Sequence, residues 1–366
     1  MFFKTGLMRS DQITFTRFIA AVAIVILHFG ELVYPFNKNV LDPFIAHINL
    51  GVSYFFILSG FVMIIAYFNK QKQEINGTSY YINRFARIFP LYLFALFLVV
   101  VLYAASGYEI KLRDVVLASL GIHAWYPPSS FTLNFPGWSL SVELFFYALF
   151  PFLLNRIYTK FSLRKVALII IVIWLLSQIF INAALVTPFY KGELSNSYFF
   201  LFYFPLLHLN QFLVGNLAGL YVMLLHKGKG RNYDFVILSI LLLFVALIKV
   251  DLNVTYHNGL LAVLFVPLIV LITLNRGYIT RLFSKRAFIF LGEISFGIYI
   301  LQYPVYLFCI KVFESAGIQN KALIFYLYLV FLIIVSALCY RYIEVPARNK
   351  IKEALAKKAK PVTLKI

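Results

Sequence analysis

Two ionisable residues, Arg17 and His28, stand eleven apart in one apolar stretch. At 100° per residue that step returns to within about 20° of the same helical face, and it rises about 16 Å. One face would carry a guanidinium at one end and an imidazole far along it. An ionisable group inside an apolar helix is costly, and an imidazole changes charge near neutral pH, so His28 is a candidate functional residue. Arg84 and Arg87, in Arg84-Phe85-Ala86-Arg87, also share a side. Two guanidinium groups converging there suit a phosphate or pyrophosphate. Trp138-Ser139-Leu140-Ser141-Val142-Glu143 follows the break at Pro136-Gly137, and Ser139 and Glu143 fall on one face. A carboxylate at that depth needs a partner, either His28 or an arginine.

Each of these has a plainer reading. Arg17 can snorkel to headgroups, and His28 can be a packing histidine. Arg84 and Arg87 can be an ordinary basic flank at the start of the third helix. Ser139 can cap a helix whose dipole favours Glu143. His208, Asn210 and Gln211, the set Glu293, Ser295 and Gln302, the Ser59-Gly60 pair and Glu344 read first as helix–helix contacts.

The elements that must position these residues are membrane helices. Hydrophobic residues make up 62% of the 366 and charged residues only 13%. A soluble fold with so few charges could not cover its surface. With 40 Phe and 25 Tyr, disorder is excluded too. Apolar stretches of spanning length fall near 13–33, 47–68, 85–105, 138–158, 166–186, 198–225, 235–250, 257–275, 287–311 and 322–343. The fold class is therefore an all-α polytopic membrane protein, a bundle of about ten transmembrane helices.

The net charge of +19 would suggest nucleic acid in a soluble chain. Here the positive-inside bias accounts for it, and no nucleic-acid partner is expected. With both termini cytoplasmic, only Lys38, Lys111, Arg113, Lys191, Lys249, Lys311 and Lys321 face outward, and the other 26 of the 33 basic residues face inward. The expected home is the cytoplasmic (inner) membrane. The expected domain organisation is a transmembrane domain over 1–348 and a basic cytoplasmic tail over 349–366. The longest connection, 106–137, lies outside, and its apolar run Val115 to Ile122 could partly re-enter the bilayer. Cys309 and Cys339 sit in apolar runs, and no metal-ligand spacing is present.

These pieces, in this order, resemble the acyltransferase 3 family of integral membrane acyltransferases. Arg17 through His28 resembles the family's Arg/Lys-ten residues-His motif. Gly51 to Phe61 resembles its second-helix signature, and Arg84 to Arg87 its Arg-x-x-Arg motif. Trp138 to Glu143 is similar to its Trp-Ser-Leu-Ser-x-Glu block. Phe212 to Gly215 and Ser295 to Val305 are similar to its later helices. The chain departs at Gln302, where many members have His, and at His208 and Gln211, where an arginine and a glutamate are common.

The resemblance implies transfer of an acyl group, most often acetyl from acetyl-CoA, to a hydroxyl of a cell-surface or lipid-linked carbohydrate. On that basis Arg17, Arg84 and Arg87 would hold the CoA phosphates. His28 and Glu143 would be catalytic, with Glu143 orienting His28. Trp138, Ser139, Ser141 and Gln302 would line the acceptor side. The donor is acyl-CoA, and no metal is called for. The competing class is a secondary transporter or flippase of a glycan or small metabolite, which also uses intramembrane His, Glu and Arg.

Overall fold

The computed structural model describes residues 11–43, 47, 50–68, 74–225, 230–250 and 254–358. Lys4, Arg9, Lys70, Lys72, Lys227, Lys229, Lys360 and Lys365, which entered the charge argument, lie outside the described residues. The described residues form helices and no strands. In chain order these are α1 (Asp11–Phe29), α2 (Leu50–Tyr67), α3 (Gly77–Ala105), a short α4 (Leu112–Ser119), α5 (Trp138–Phe152) and α6 (Leu163–Leu185). Then come α7 (Asn196–Tyr203), α8 (Leu209–Leu225), α9 (Asp234–Ile248) and α10 (Ala262–Leu274). Last are the short α11 (Tyr278–Phe283) and α12 (Arg286–Glu293), then α13 (Ser295–Ser315), α14 (Lys321–Cys339) and α15 (Val345–Lys358).

Among the described residues eight helical stretches are long and apolar enough to cross a membrane, and α9 and α10 are shorter apolar helices. Each of the ten expected segments thus has a helical counterpart. Three boundaries differ for local reasons. The 198–225 segment divides into α7 and α8 because Pro205 lacks an N–H and restricts Phe204 to extended backbone. The 287–311 segment divides at Ile294 into α12 and α13. Helix α3 begins at Gly77, where the Asn76 side chain accepts from Ser79 N at 3.0 Å. Arg84 and Arg87 therefore lie about two turns inside a helix and not at its start. The helix carrying Arg348 runs on to Lys358, across position 348.

The core is built on the α2–α8 pair. A side chain at Gly60 would meet Phe212 O at 2.1 Å, and one at Gly215 would meet Ile57 O at 2.0 Å. The two glycines let the backbones touch, which is how helices associate where lipid removes the hydrophobic drive. Around this pair pack α1, α5, α6 and α10, and α13 packs in turn on α1, α3 and α14.

Two prolines release carbonyls that fix the site. Pro151 in α5 cannot donate to Tyr147 O, and Tyr80 OH takes that carbonyl at 3.1 Å. Pro304 in α13 cannot donate to Ile300 O, and Asn134 Nδ2 takes it at 3.0 Å. The second contact docks the 106–137 connection onto α13. That connection folds as α4 followed by short 3-10 turns, with His123, Ser129, Ser130 and Asn134 buried. Tyr92 OH donates to Ala118 O at 2.6 Å, and Ser129 Oγ to Asp114 Oδ1 at 2.7 Å. The result is a lid over one end of the bundle.

Candidate functional site

Helix α1 carries Arg17 and His28 on one continuous element, as their spacing requires. Beside it lies a cavity with about 810 Å³ of empty space, including its mouth. Its lining combines Arg17 of α1, Ser59 of α2, Arg84 and Arg87 of α3, Ser139, Glu143 and Tyr147 of α5, and Ser295 and Tyr299 of α13. Five of the nine residues given site roles from sequence, Arg17, Arg84, Arg87, Ser139 and Glu143, thus meet in one space. His28, Gln302, Trp138 and Ser141 are not part of that lining.

The three arginines are held differently. Arg84 is only 8% exposed, and its guanidinium carbon lies 5.0, 5.3 and 5.9 Å from the Tyr67, Tyr147 and Tyr80 rings. Cation–π attraction of this kind is worth about 0.5–2 kcal/mol per pair, more as water is removed. The cage keeps a cation without neutralising it, and Arg84 Nε has no hydrogen-bond partner. Arg17 and Arg87 are partly exposed to the cavity. Among the described residues no ion pair joins either of them to Glu143. Glu344 is buried with Oε2 unpaired, and it interacts electrostatically with Arg87, Arg348 and Arg17. This end of the cavity carries an excess of positive charge over its fixed anions.

Glu143 sits one turn further along. Tyr147 OH and Ser59 Oγ both donate to its Oε1, the latter at 3.3 Å. The carboxylate is not hydrogen-bonded to His28 among the described residues. Nor does Ser139 act as an N-cap: its Oγ lies 3.1 Å from Pro136 O and 2.7 Å from Tyr299 OH.

His28 is oriented by Gln302. Its Nδ1 lies 2.7 Å from Gln302 Oε1, and Gln302 Nε2 donates to Tyr299 O at 2.6 Å. A backbone carbonyl only accepts, so it must face the amide nitrogen. Gln302 therefore presents its oxygen to the ring, and Nδ1 must carry the proton. Nε2 is left with a lone pair. Gln302 is fully buried, and Tyr328 OH donates to its backbone carbonyl at 3.0 Å. The Phe135 ring, brought in by the lid, meets the imidazole edge-on at 4.7 Å.

Trp138 packs edge-on against Phe56 at 5.9 Å and Tyr203 at 4.8 Å, and over His208 at 5.3 Å. Ser141 Oγ lies 3.2 Å from His123 Nδ1. Both residues are buried behind the site. His208 is occupied at both nitrogens, by Phe202 O at 2.9 Å and Gln211 Nε2 at 3.0 Å. Sequence reading passed over Tyr147, Tyr299, His123 and His257. The signal for the first two was their spacing, four after Glu143 and three before Gln302. Among the described residues no three His, Cys, Asp or Glu side chains gather closely enough to hold a metal ion.

The family model described as an acyltransferase domain matches residues 11–341. Acyltransferase MdmB of Streptomyces mycarofaciens is 28% identical over 325 residues, covering 81% of this chain and 79% of its own. An uncharacterized protein of Haemophilus influenzae is 31% identical over 232 residues, covering 57% of this chain and 91% of its own. A Staphylococcus aureus protein provisionally named as an O-acetyltransferase is 26% identical over 359 residues, 91% of this chain. The match spans just over half of that longer relative, 57% of its length. No solved structure matches the chain significantly. With the family model matching nearly its whole length and its apolar helices enclosing the cavity, the chain belongs to the acyltransferase 3 family and is a multi-pass membrane acyltransferase.

Proposed function

We propose that the protein moves an acyl group, acetyl in the first instance, from acyl-CoA to a hydroxyl of a cell-surface or lipid-linked carbohydrate. The basic end of the cavity, with Arg17, Arg84 and Arg87, takes the CoA phosphates. This end and both termini face the cytoplasm, where acyl-CoA is made, across the inner membrane; the positive-inside bias supports that orientation. The pantetheine arm then runs along α1, whose Arg17–His28 rise of about 16 Å is the length of such an arm. The acceptor enters from the lid side, above Phe135, in the space shaped from behind by Trp138 and Ser141.

The carrying observation is the Tyr299–Gln302–His28 relay, which leaves His28 Nε2 as a proton acceptor. Nε2 takes the proton of the acceptor hydroxyl as its oxygen attacks the thioester carbonyl. The carbon–sulfur bond breaks, and the thiolate leaves with the proton returned from the imidazolium. Ester and free CoA are the products. Gln302 is neutral, so it fixes the tautomer without trapping the imidazolium as a carboxylate would.

Labelled acetyl-CoA supplied to membranes containing the protein and an envelope-carbohydrate extract tests this. His28→Ala should lower the transfer rate by about 10²–10⁴ while the protein still accumulates in the membrane. Near wild-type transfer by that variant would overturn the mechanism.

A further inference from the structure

Glu143 is not the group that orients His28, yet it lines the cavity between the arginines and the imidazole. Its local chemistry is one-sided. Tyr147 OH and Ser59 Oγ both spend their protons on Oε1. No described donor reaches Oε2. What this rung offers to the cavity is therefore an acceptor, and its natural complement is an N–H group.

The level of the rung can be worked out from helix geometry. Ser139, Glu143 and Tyr147 are successive fourth residues of α5, each about 6 Å apart along the axis. Tyr299 OH meets Ser139 Oγ at 2.7 Å, so those two share a level. Gln302 is three residues beyond Tyr299 on α13 with its amide folded back to Tyr299 O, so the imidazole it holds lies up to about 4.5 Å further. Glu143 thus lies about 6–10 Å from the level of the imidazole, towards the arginines.

Between a thioester at His28 and phosphates at the arginines lies the pantetheine arm, whose N–H groups are its two amides. The thiol-side amide nitrogen is three bonds from sulfur, about 4 Å, and the pantoate-side nitrogen is seven bonds away, about 9 Å in an extended chain. Only the second reaches the level of Glu143. We infer that Glu143 Oε2 binds the pantoate-side amide N–H of the donor, with Tyr147 and Ser59 as the positioning residues that aim it. The inference rests on the acyl-CoA reading. It makes this rung the gauge of donor arm length, while Arg87 reads the nucleotide.

Three acetyl donors separate these roles: acetyl-CoA, S-acetylpantetheine with both amides and no nucleotide, and the acetyl thioester of N-acetylcysteamine with the thiol-side amide alone. Glu143→Ala should lower kcat/KM tenfold to a hundredfold with the first two, the scale of a hydrogen bond to a charged group. With the third donor it should change kcat/KM less than twofold, and that retained activity shows the variant is folded. Glu143→Gln, which keeps size and one acceptor, should show the same donor ranking with smaller losses. Arg87→Ala should be impaired with acetyl-CoA alone. Equal losses for Glu143→Gln across all three donors, or no loss with any, would overturn the amide assignment and leave the donor reading standing. Wild-type protein that takes acetyl from none of the three would overturn the donor reading and this inference with it.

Discussion

Replacing Gln302 by Leu keeps the side-chain volume and removes both ends of the relay. Tyr299 O loses a donor at 2.6 Å and His28 Nδ1 loses an acceptor at 2.7 Å, in a site where Gln302 is fully buried. Leaving one such buried group unpaired costs about 1–3 kcal/mol. A cost of about 1–2 kcal/mol on the reacting imidazole corresponds to about a five- to thirtyfold fall in kcat. That is well short of deleting the base itself. The decisive arrangement is a double-mutant cycle on initial rates of labelled acetyl transfer, with kcat and acceptor KM resolved. If Gln302 works through His28, Gln302→Leu should cost about a further nothing once His28 is Ala, and acceptor KM should hold. Additive losses, or a loss carried by acceptor KM alone, would refute the relay and return Gln302 to direct acceptor contact.

Arg84→Ala and Arg87→Ala should each weaken binding of a non-hydrolysable acyl-CoA by the detergent-solubilised protein. Arg84→Lys should recover only part, because a lysine ammonium cannot lie flat among three tyrosine rings; unchanged titrations in both Ala variants would make these arginines mere charge flanks. Burial holds the lid residue His123 down at about 4 from its ordinary 6.5. The unfolded chain thus binds a proton first, so this group's contribution is complete above pH 6.5 and is lost as pH falls towards 4. Between pH 6.5 and 5 the loss is about 2 kcal/mol. Thermal unfolding at pH 7 and pH 5 should show a smaller drop for His123→Gln than for wild type, and equal drops would refute it.

The spans were legible because a bilayer demands long apolar runs, and one of them divides where Pro205 breaks it. The Arg17–His28 face followed from the helical repeat alone. That Arg17, Arg84 and Arg87 share a space was what the family resemblance implied, and Glu143 stood out because a carboxylate in an apolar helix needs a partner. What sequence could not supply was who holds whom. His28 pairs with a residue 274 positions away, and no periodicity reports such a contact. Glu143 looked like the partner for His28 because both are ionisable, whereas the structure gives His28 a neutral amide. Tyr147 and Tyr299 went unnoticed because they are two of 25 tyrosines, and a hydroxyl in an apolar run declares nothing until its acceptor is known. The length of 106–137 and its run into Trp138 mark it as a cover for the site, but not how it is held. Its anchoring by Asn134 depends on a carbonyl that only a proline four residues later makes available.

That carbonyl has a consequence for how the protein can change. A proline inside a helix is ordinarily a defect, and replacing it ordinarily gains stability. Pro304→Ala would let the backbone N–H of residue 304 reclaim Ile300 O, straightening and strengthening α13. The same event would evict Asn134 and loosen the segment that lays Phe135 against His28. Position 304 is thus a point where selection for robustness and selection for turnover pull in opposite directions. A search for sturdier variants that ranks them by melting temperature alone would accept the alanine and discard the closure over the imidazole, leaving the proposed thioester donor open to water.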